Sequence, residues 1–134
     1  MVKVVIAVVL LAHGIGHSMG LLQMFKVATV NPEWRGDSWI ISSAVGPTAT
    51  QIVGGVLWTA AIVGFAALAG SLLGWLPAAW FTPLALGSAA VSMLGLLLFP
   101  VAFPLFSTIG ALVVDLAVLV AVMGYHWLPS DLAA

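Results

Sequence analysis

Apolar residues come in four long blocks along this chain, and most of the polar positions fall between them. A spanning helix needs roughly 20 apolar residues at about 1.5 Å rise each. The blocks run from about Val4 to Phe25, from about Thr48 to Leu68 or as far as Leu76, from about Ala79 to Phe99, and from about Ser107 to Leu128. The breaks carry turn chemistry. NPEWRGDSW at 31–39 is the one long polar connection, GSLLGWLP at 70–77 parts the second block from the third, and FPVAFP at 99–104 holds two prolines four apart. Short links between long apolar helices predict a single all-α domain over 1–134, an integral membrane antiparallel four-helix transmembrane bundle. The first block continues past the length of a signal-peptide core with no small-x-small site, so it is read as a retained span.

Composition sharpens this picture. Only 5% of the 134 residues are charged, against about 25% in ordinary soluble domains. The charges are Lys3, Lys26, Glu33, Arg35, Asp37, Asp115 and Asp131, and the 77 residues from Ser38 to Val114 contain none. A net charge of −1 leaves no basic patch for nucleic acid. With no cysteine, disulfides, thiolate metal sites and cysteine nucleophiles are excluded. Trp34, Trp39, Trp75, Trp80 and Trp127 fall near block ends, where tryptophan marks membrane interfaces. Trp58 falls inside the second block, where its ring N–H needs a partner. Lys26 and Arg35 against Lys3 lean toward a cytoplasmic first loop.

Candidate chemistry centres on AHGIGHSMG at 12–20. His13 and His17, four apart, share a helix face. Ionisable residues within spans usually face the interior or a water-filled cavity. Nine residues from Val4 put His13 about 13 Å deep and thirteen put His17 about 20 Å deep. Counting from the opposite face of a core roughly 30 Å thick brings Asp115 level with His17. The same counting sets Ser92 near His13, Gln51 within a turn of His17, and Trp58 near His13. The candidate site is therefore His13, His17, Asp115, Ser92, Gln51 and Trp58. Gly16 and Gly20 form a small-xxx-small pair suited to close helix approach.

At HGIGH the chain resembles a group of small, uncharacterised bacterial four-span membrane proteins with an HGxxH-type motif in the first helix, here His13, Gly14 and His17 followed by Gly20. Arg35 with Trp39–Ser42, the GGVLW segment at 54–58, Ser92, and Gly110 before Asp115 extend the resemblance over nearly the whole chain. It implies the four-span bundle and a polar intramembrane site, supplies no activity, and favours an amide over an acid at position 115.

Several functions compete for such a site. His13, His17 and Asp115 form a ligand set of the type used by zinc or iron, although the glutamate of a hydrolytic HExxH helix is missing. Either histidine could be one axial ligand of a haem. A quinone or lipid headgroup could bond the polar residues, with Trp58 and leucines around its apolar part. Histidine–aspartate chains also serve proton relays and transporters. The bland alternative is packing: the imidazoles bond Ser92, Gln51 and Asp115 and set the register of a structural subunit. No GxSxG, phosphate loop or paired acids appear. The sequence thus points to a non-enzymatic binding or accessory subunit of the cell inner (plasma) membrane. Its expected partners are membrane lipids, and other membrane subunits or a second copy of itself.

Overall fold

The computed structural model describes residues 1–132. Helix makes up 74% of the described residues, and no strand occurs among them. Among the described residues, four helical stretches are long and apolar enough to cross a membrane: Val2–Met24, Ser42–Leu72, Ala78–Leu98 and Leu105–Gly124. The chain is a multi-pass membrane protein built as a helical bundle. The first stretch comprises α1 (Val2–Gly16) and α2 (Ser18–Met24), joined through a tight turn at His17. The His17 amide bonds Gly14 O and the Gly20 amide bonds His17 O, each at 3.1 Å. The second stretch, α3 (Ser42–Leu72), breaks locally at Gly46, whose φ of 81° precedes Pro47. The third opens with a 3-10 turn at Ala78–Trp80 and continues as α4 (Phe81–Leu98). The fourth is α5 (Leu105–Leu119), whose end widens into a π-type turn at Val120–Gly124.

α3 is the central element, packed against α1, α2 and α4, while α5 leans chiefly on α4 and barely touches α1. The buried side chains form two apolar layers. One holds Leu10, Phe65, Leu68, Phe81 and Ala89, and the other holds Met24, Trp58, Leu96, Phe99 and Phe103. Polar site residues lie between these layers on three of the four spans: His13 and His17 between Leu10 and Met24, Ser92 between Ala89 and Leu96, and Asp115 between Leu112 and Val118.

Glycines set the closest approaches. A Cβ at Gly14 would come 2.9 Å from Phe65 Cβ on α3, so only hydrogen fits there. Gly20 and Gly95 bracket the Trp58 indole, with a built Cβ 2.9 Å from its Nε1 on one side and 2.6 Å from its Cζ3 on the other. Of the expected small-residue pair, Gly20 therefore makes a close approach and Gly16 meets nothing within 4 Å.

The long polar connection folds back on the bundle. Gln23 Nε2 donates to the carbonyls of Asn31 and Trp34, and its Oε1 accepts from the amides of Val30 and Asn31. Ser38 Oγ and the Trp39 indole donate to Leu98 O and Leu97 O at the end of α4, at 2.6 and 2.7 Å. This overturns one expectation. Trp34 is buried against Phe99 and donates to Asp37 O, whereas Trp39, Trp75 and Trp80 are exposed as interface tryptophans should be.

Candidate functional site: a buried histidine, aspartate and serine chain

One hydrogen-bonded chain joins three spans. His13 Nε2 meets Asp115 Oδ1 at 2.8 Å, Ser92 Oγ donates to Asp115 Oδ2 at 2.6 Å, and His17 Nε2 meets Ser92 Oγ at 2.9 Å. Asp115 and Ser92 are fully buried, His17 is 2% exposed and the His13 side chain 6%. Proton counting orients the chain. Ser92 has one hydroxyl proton, and Asp115 takes it. The Ser92 oxygen must then accept from His17, which fixes a proton on His17 Nε2. A carboxylate at Asp115 accepts at both oxygens, so the His13 proton also sits on Nε2. Each imidazole is left with its Nδ1, which makes no hydrogen bond within the chain among the described residues.

Aromatic rings enclose the histidines. His17 lies flat against Trp58, with centroids 5.5 Å apart and planes 13° apart. Phe103 meets His17 edge-on at 6.1 Å. Phe65 meets His13 edge-on at 4.5 Å, and the two imidazoles meet edge-on at 5.0 Å. The Trp58 Nε1, fully buried, has no hydrogen-bond partner among the described residues. The expectation that this N–H finds a partner is not met, because the ring is held by its faces and edges while its N–H abuts Gly20.

The predicted residues converge, with a changed register. Asp115 bonds His13 rather than lying level with His17. The helices begin earlier than counted, at Val2 and Leu105. Eleven residues to His13 and ten to Asp115 then bring both to about 15–16 Å, the middle of a core roughly 30 Å thick. Ser92 bridges both levels. Trp58 stacks on His17, not His13. That pairing also removes Gln51 from the site. Seven residues, about 10 Å, separate Gln51 from Trp58, and α3 runs antiparallel to α2. Gln51 therefore falls opposite Met24, seven residues past His17, and donates to its carbonyl at 3.0 Å.

The metal set His13, His17 and Asp115 takes a different form from the one expected. Among the described residues, no three histidine, aspartate or glutamate groups are placed to hold one ion. The physical reason is that the donors face one another. Both Nε2 atoms are committed to Asp115 and Ser92, and Ser92 Oγ stands between Asp115 and His17. A metal needs ligand lone pairs aimed at a common point about 2.0–2.2 Å away.

Sequence reasoning missed the aromatic walls and the groove beside them. Phe65 lies seven residues beyond Trp58, two helical turns along the same face, and that spacing was a readable signal. The groove was not readable. His13 and His17 border a cavity of about 340 Å³ between the first span and α5, walled by Ala12, Gly16, Phe103 and Ala111. A second cavity of about 530 Å³ continues along the same helix pair past Val5, Leu10, Ala117 and Val118 to Tyr125 and Trp127. Val9 and Val114 line both. No protein-family model, curated protein or solved structure matches the chain.

Proposed function

We propose that this protein is a membrane-embedded, non-enzymatic binding or accessory subunit that holds a small amphipathic molecule by its polar end at His13 and His17. One observation carries the reading: a self-satisfied polar chain lies beside a lipid-level cavity, and each imidazole keeps one uncommitted nitrogen for a ligand. Ligand sites typically occupy about 300–1,000 Å³, with mostly apolar walls and a few converging polar groups, and the 340 Å³ cavity has that make-up. Asp115 and Ser92 act as positioning residues, fixing both ring orientations and tautomers. Membership of the small bacterial HGxxH four-span group, and with it residence in the plasma membrane, belongs to the same proposal.

The test is extraction. The protein purified in mild detergent, and its His13→Ala/His17→Ala variant, are extracted with organic solvent and analysed by mass spectrometry, with elemental analysis in parallel. The reading expects a stoichiometric amphiphile in the wild type and its loss in the variant. A stoichiometric metal ion without an amphiphile would replace this reading with a metal site.

The continuity of the chain favours a second reading, a proton relay. Unbroken hydrogen bonds link His13, Asp115, Ser92 and His17, and histidine–aspartate chains of this kind serve as proton relays in membranes. Proteoliposomes under an imposed pH gradient would then leak protons faster than protein-free vesicles, and Ser92→Ala, which cuts the chain, would remove the difference.

A further inference from the structure

The head site at His13 and His17 is continuous with a groove that is apolar along most of its length. The larger cavity is lined by Val5, Ile6, Leu68, Val113, Val118 and their apolar neighbours, and only Tyr125 and Trp127 at its far end carry polar atoms on their side chains. Its rim opens toward lipid, with Val5, Val9 and Val113 all exposed. From His13 to Val5 is eight residues, a run of about 12 Å along the helix. The groove exists because α5 leans on α4 and leaves α1. The His13–Asp115 bond is the one side-chain hydrogen bond between α1 and α5 among the described residues.

We infer that this groove takes the single apolar tail of the molecule whose head lies at the histidines, and that the molecule is an uncharged, ring-headed lipid of the quinone class entering sideways from the bilayer. The inference rests on the proposed head site. Depth selects the head. His13 lies about 16 Å from the start of α1, at mid-membrane. A phosphate headgroup would have to leave the interface for that depth, and burying an unpaired ion there is prohibitively costly. A neutral carbonyl or hydroxyl enters without that penalty. With Nε2 carrying the proton, each Nδ1 accepts a hydrogen bond from a quinol hydroxyl, and it donates to a quinone carbonyl only when the ring carries a second proton. The aromatic walls formed by Phe103 and His17 suit a flat ring. One groove, meeting the head cavity at Val9 and Val114, provides for one tail.

The probe is a benzoquinone with a ten-carbon tail ending in a photoreactive diazirine, added to the protein in phospholipid nanodiscs. Saturable binding is followed by the ring's absorbance, and cross-linked residues are mapped by mass spectrometry. The expected result is saturable binding that the His13→Ala/His17→Ala variant loses, with cross-links concentrated on Val5, Val118 and Ala121. Ala117→Trp fills the groove from a position outside the polar chain. It should cut those cross-links about fivefold by excluding the tail from its dispersion contacts, while the ring still binds. Saturable binding with cross-links scattered over lipid-facing residues such as Ile52 and Val56 would overturn the tail path and leave the head site standing, with ordinary lipid chains or a second copy as the groove's occupant. Absence of saturable binding would overturn the quinone class for both head and tail. A different amphiphile recovered by extraction would then separate failure of this inference from failure of the head site.

Discussion

Ser92 gives its only hydroxyl proton to Asp115 across 2.6 Å, and the same oxygen receives the proton of His17. A small side chain on α4 therefore holds together residues from the first and fourth spans. Without it, Asp115 would face one partner and His17 none. In a membrane such interhelical hydrogen bonds average only about 0.6 kcal/mol when measured singly. The buried groups left behind decide the outcome here, since an unsatisfied buried polar group costs about 1–3 kcal/mol.

Ser92→Ala should accordingly destabilise the protein by about 1–3 kcal/mol, and Ser92→Thr, which keeps the hydroxyl, by less. Thermal unfolding in one detergent, followed by circular dichroism, measures both. Equal melting temperatures for wild type and Ser92→Ala would show that the bridge contributes nothing to folding.

Asp115→Asn tests whether the site needs a charge or only its hydrogen bonds. The amide oxygen can accept from Ser92 while its NH₂ donates to His13 Nε2, provided His13 moves its proton to Nδ1. The bundle should keep its stability to within about 1 kcal/mol, because every bond has a counterpart. Asp115→Leu offers none and should cost about 3–5 kcal/mol, the penalty of breaking a buried pair from one side. Comparable losses in both variants would identify the carboxylate charge itself as the stabilising feature.

The two glycines around Trp58 give a steric prediction with an internal control. A Cβ at Gly95 would lie 2.6 Å from the indole, whereas one at Gly87 on the same helix meets nothing within 4 Å. Overpacking of a filled core costs about 1–3 kcal/mol, so Gly95→Ala should lower the melting temperature clearly. Gly87→Ala should leave it unchanged or raise it, because alanine is the better helix former. A neutral Gly95→Ala would mean that Trp58 yields easily and is not held in place.

How much of this was legible in the sequence depends on which interaction did the positioning. The four spans follow from charge-free apolar blocks, and the structure repeats them with starts shifted by a few residues. His13, His17, Ser92 and Asp115 could be brought together by depth alone, since an axial count needs only the rise per residue. Their pairing could not, because it turns on one helical turn, and an error of two or three residues at a helix start exchanges His13 for His17 as the partner of Asp115. Gln51 was misplaced for the same reason: α3 pairs Trp58 with His17, which carries Gln51 to Met24 O. Trp34 and Gln23 escaped because loop tertiary structure, not periodicity, buries the first and makes the second a hub. The groove between α1 and α5 is set by how far one helix leans away from another, for which the sequence carries no periodic signal.

Gln23 should govern the polar connection independently of the site. Four backbone groups of residues 30, 31 and 34 bond its amide. Replacing it with Leu removes all four while leaving α2 apolar. The connection from Lys26 to Ile41 should then exchange its amide protons at least about tenfold faster, an opening made easier by about 1.4 kcal/mol. The helical amides around Ser92 and Asp115 should retain their protection. Hydrogen exchange with mass spectrometry reads both regions in one experiment, and unchanged exchange in the connection would show that its other anchors suffice: Asn31 on Val101 O, and Ser38 and Trp39 on the end of α4.

The His13–Asp115 bond should act as the tie that limits how far α5 swings from α1. Those two helices share little packing, so the 2.8 Å contact carries a larger share of their mutual restraint than a hydrogen bond between tightly packed spans would. Because the chain has no cysteine, single cysteines introduced at the exposed positions Val5 and Val113 give unambiguous spin-label sites on the two helices. Double electron–electron resonance on the wild-type background should yield one narrow distance distribution. His13→Leu, which keeps an apolar side chain but cannot bond Asp115, should broaden it toward longer distances. A second label pair on α3 and α4, which are closely packed, should stay narrow in both proteins. Broadening in both pairs would indicate loss of the bundle, and none in either would show that packing through α4 suffices to hold α5.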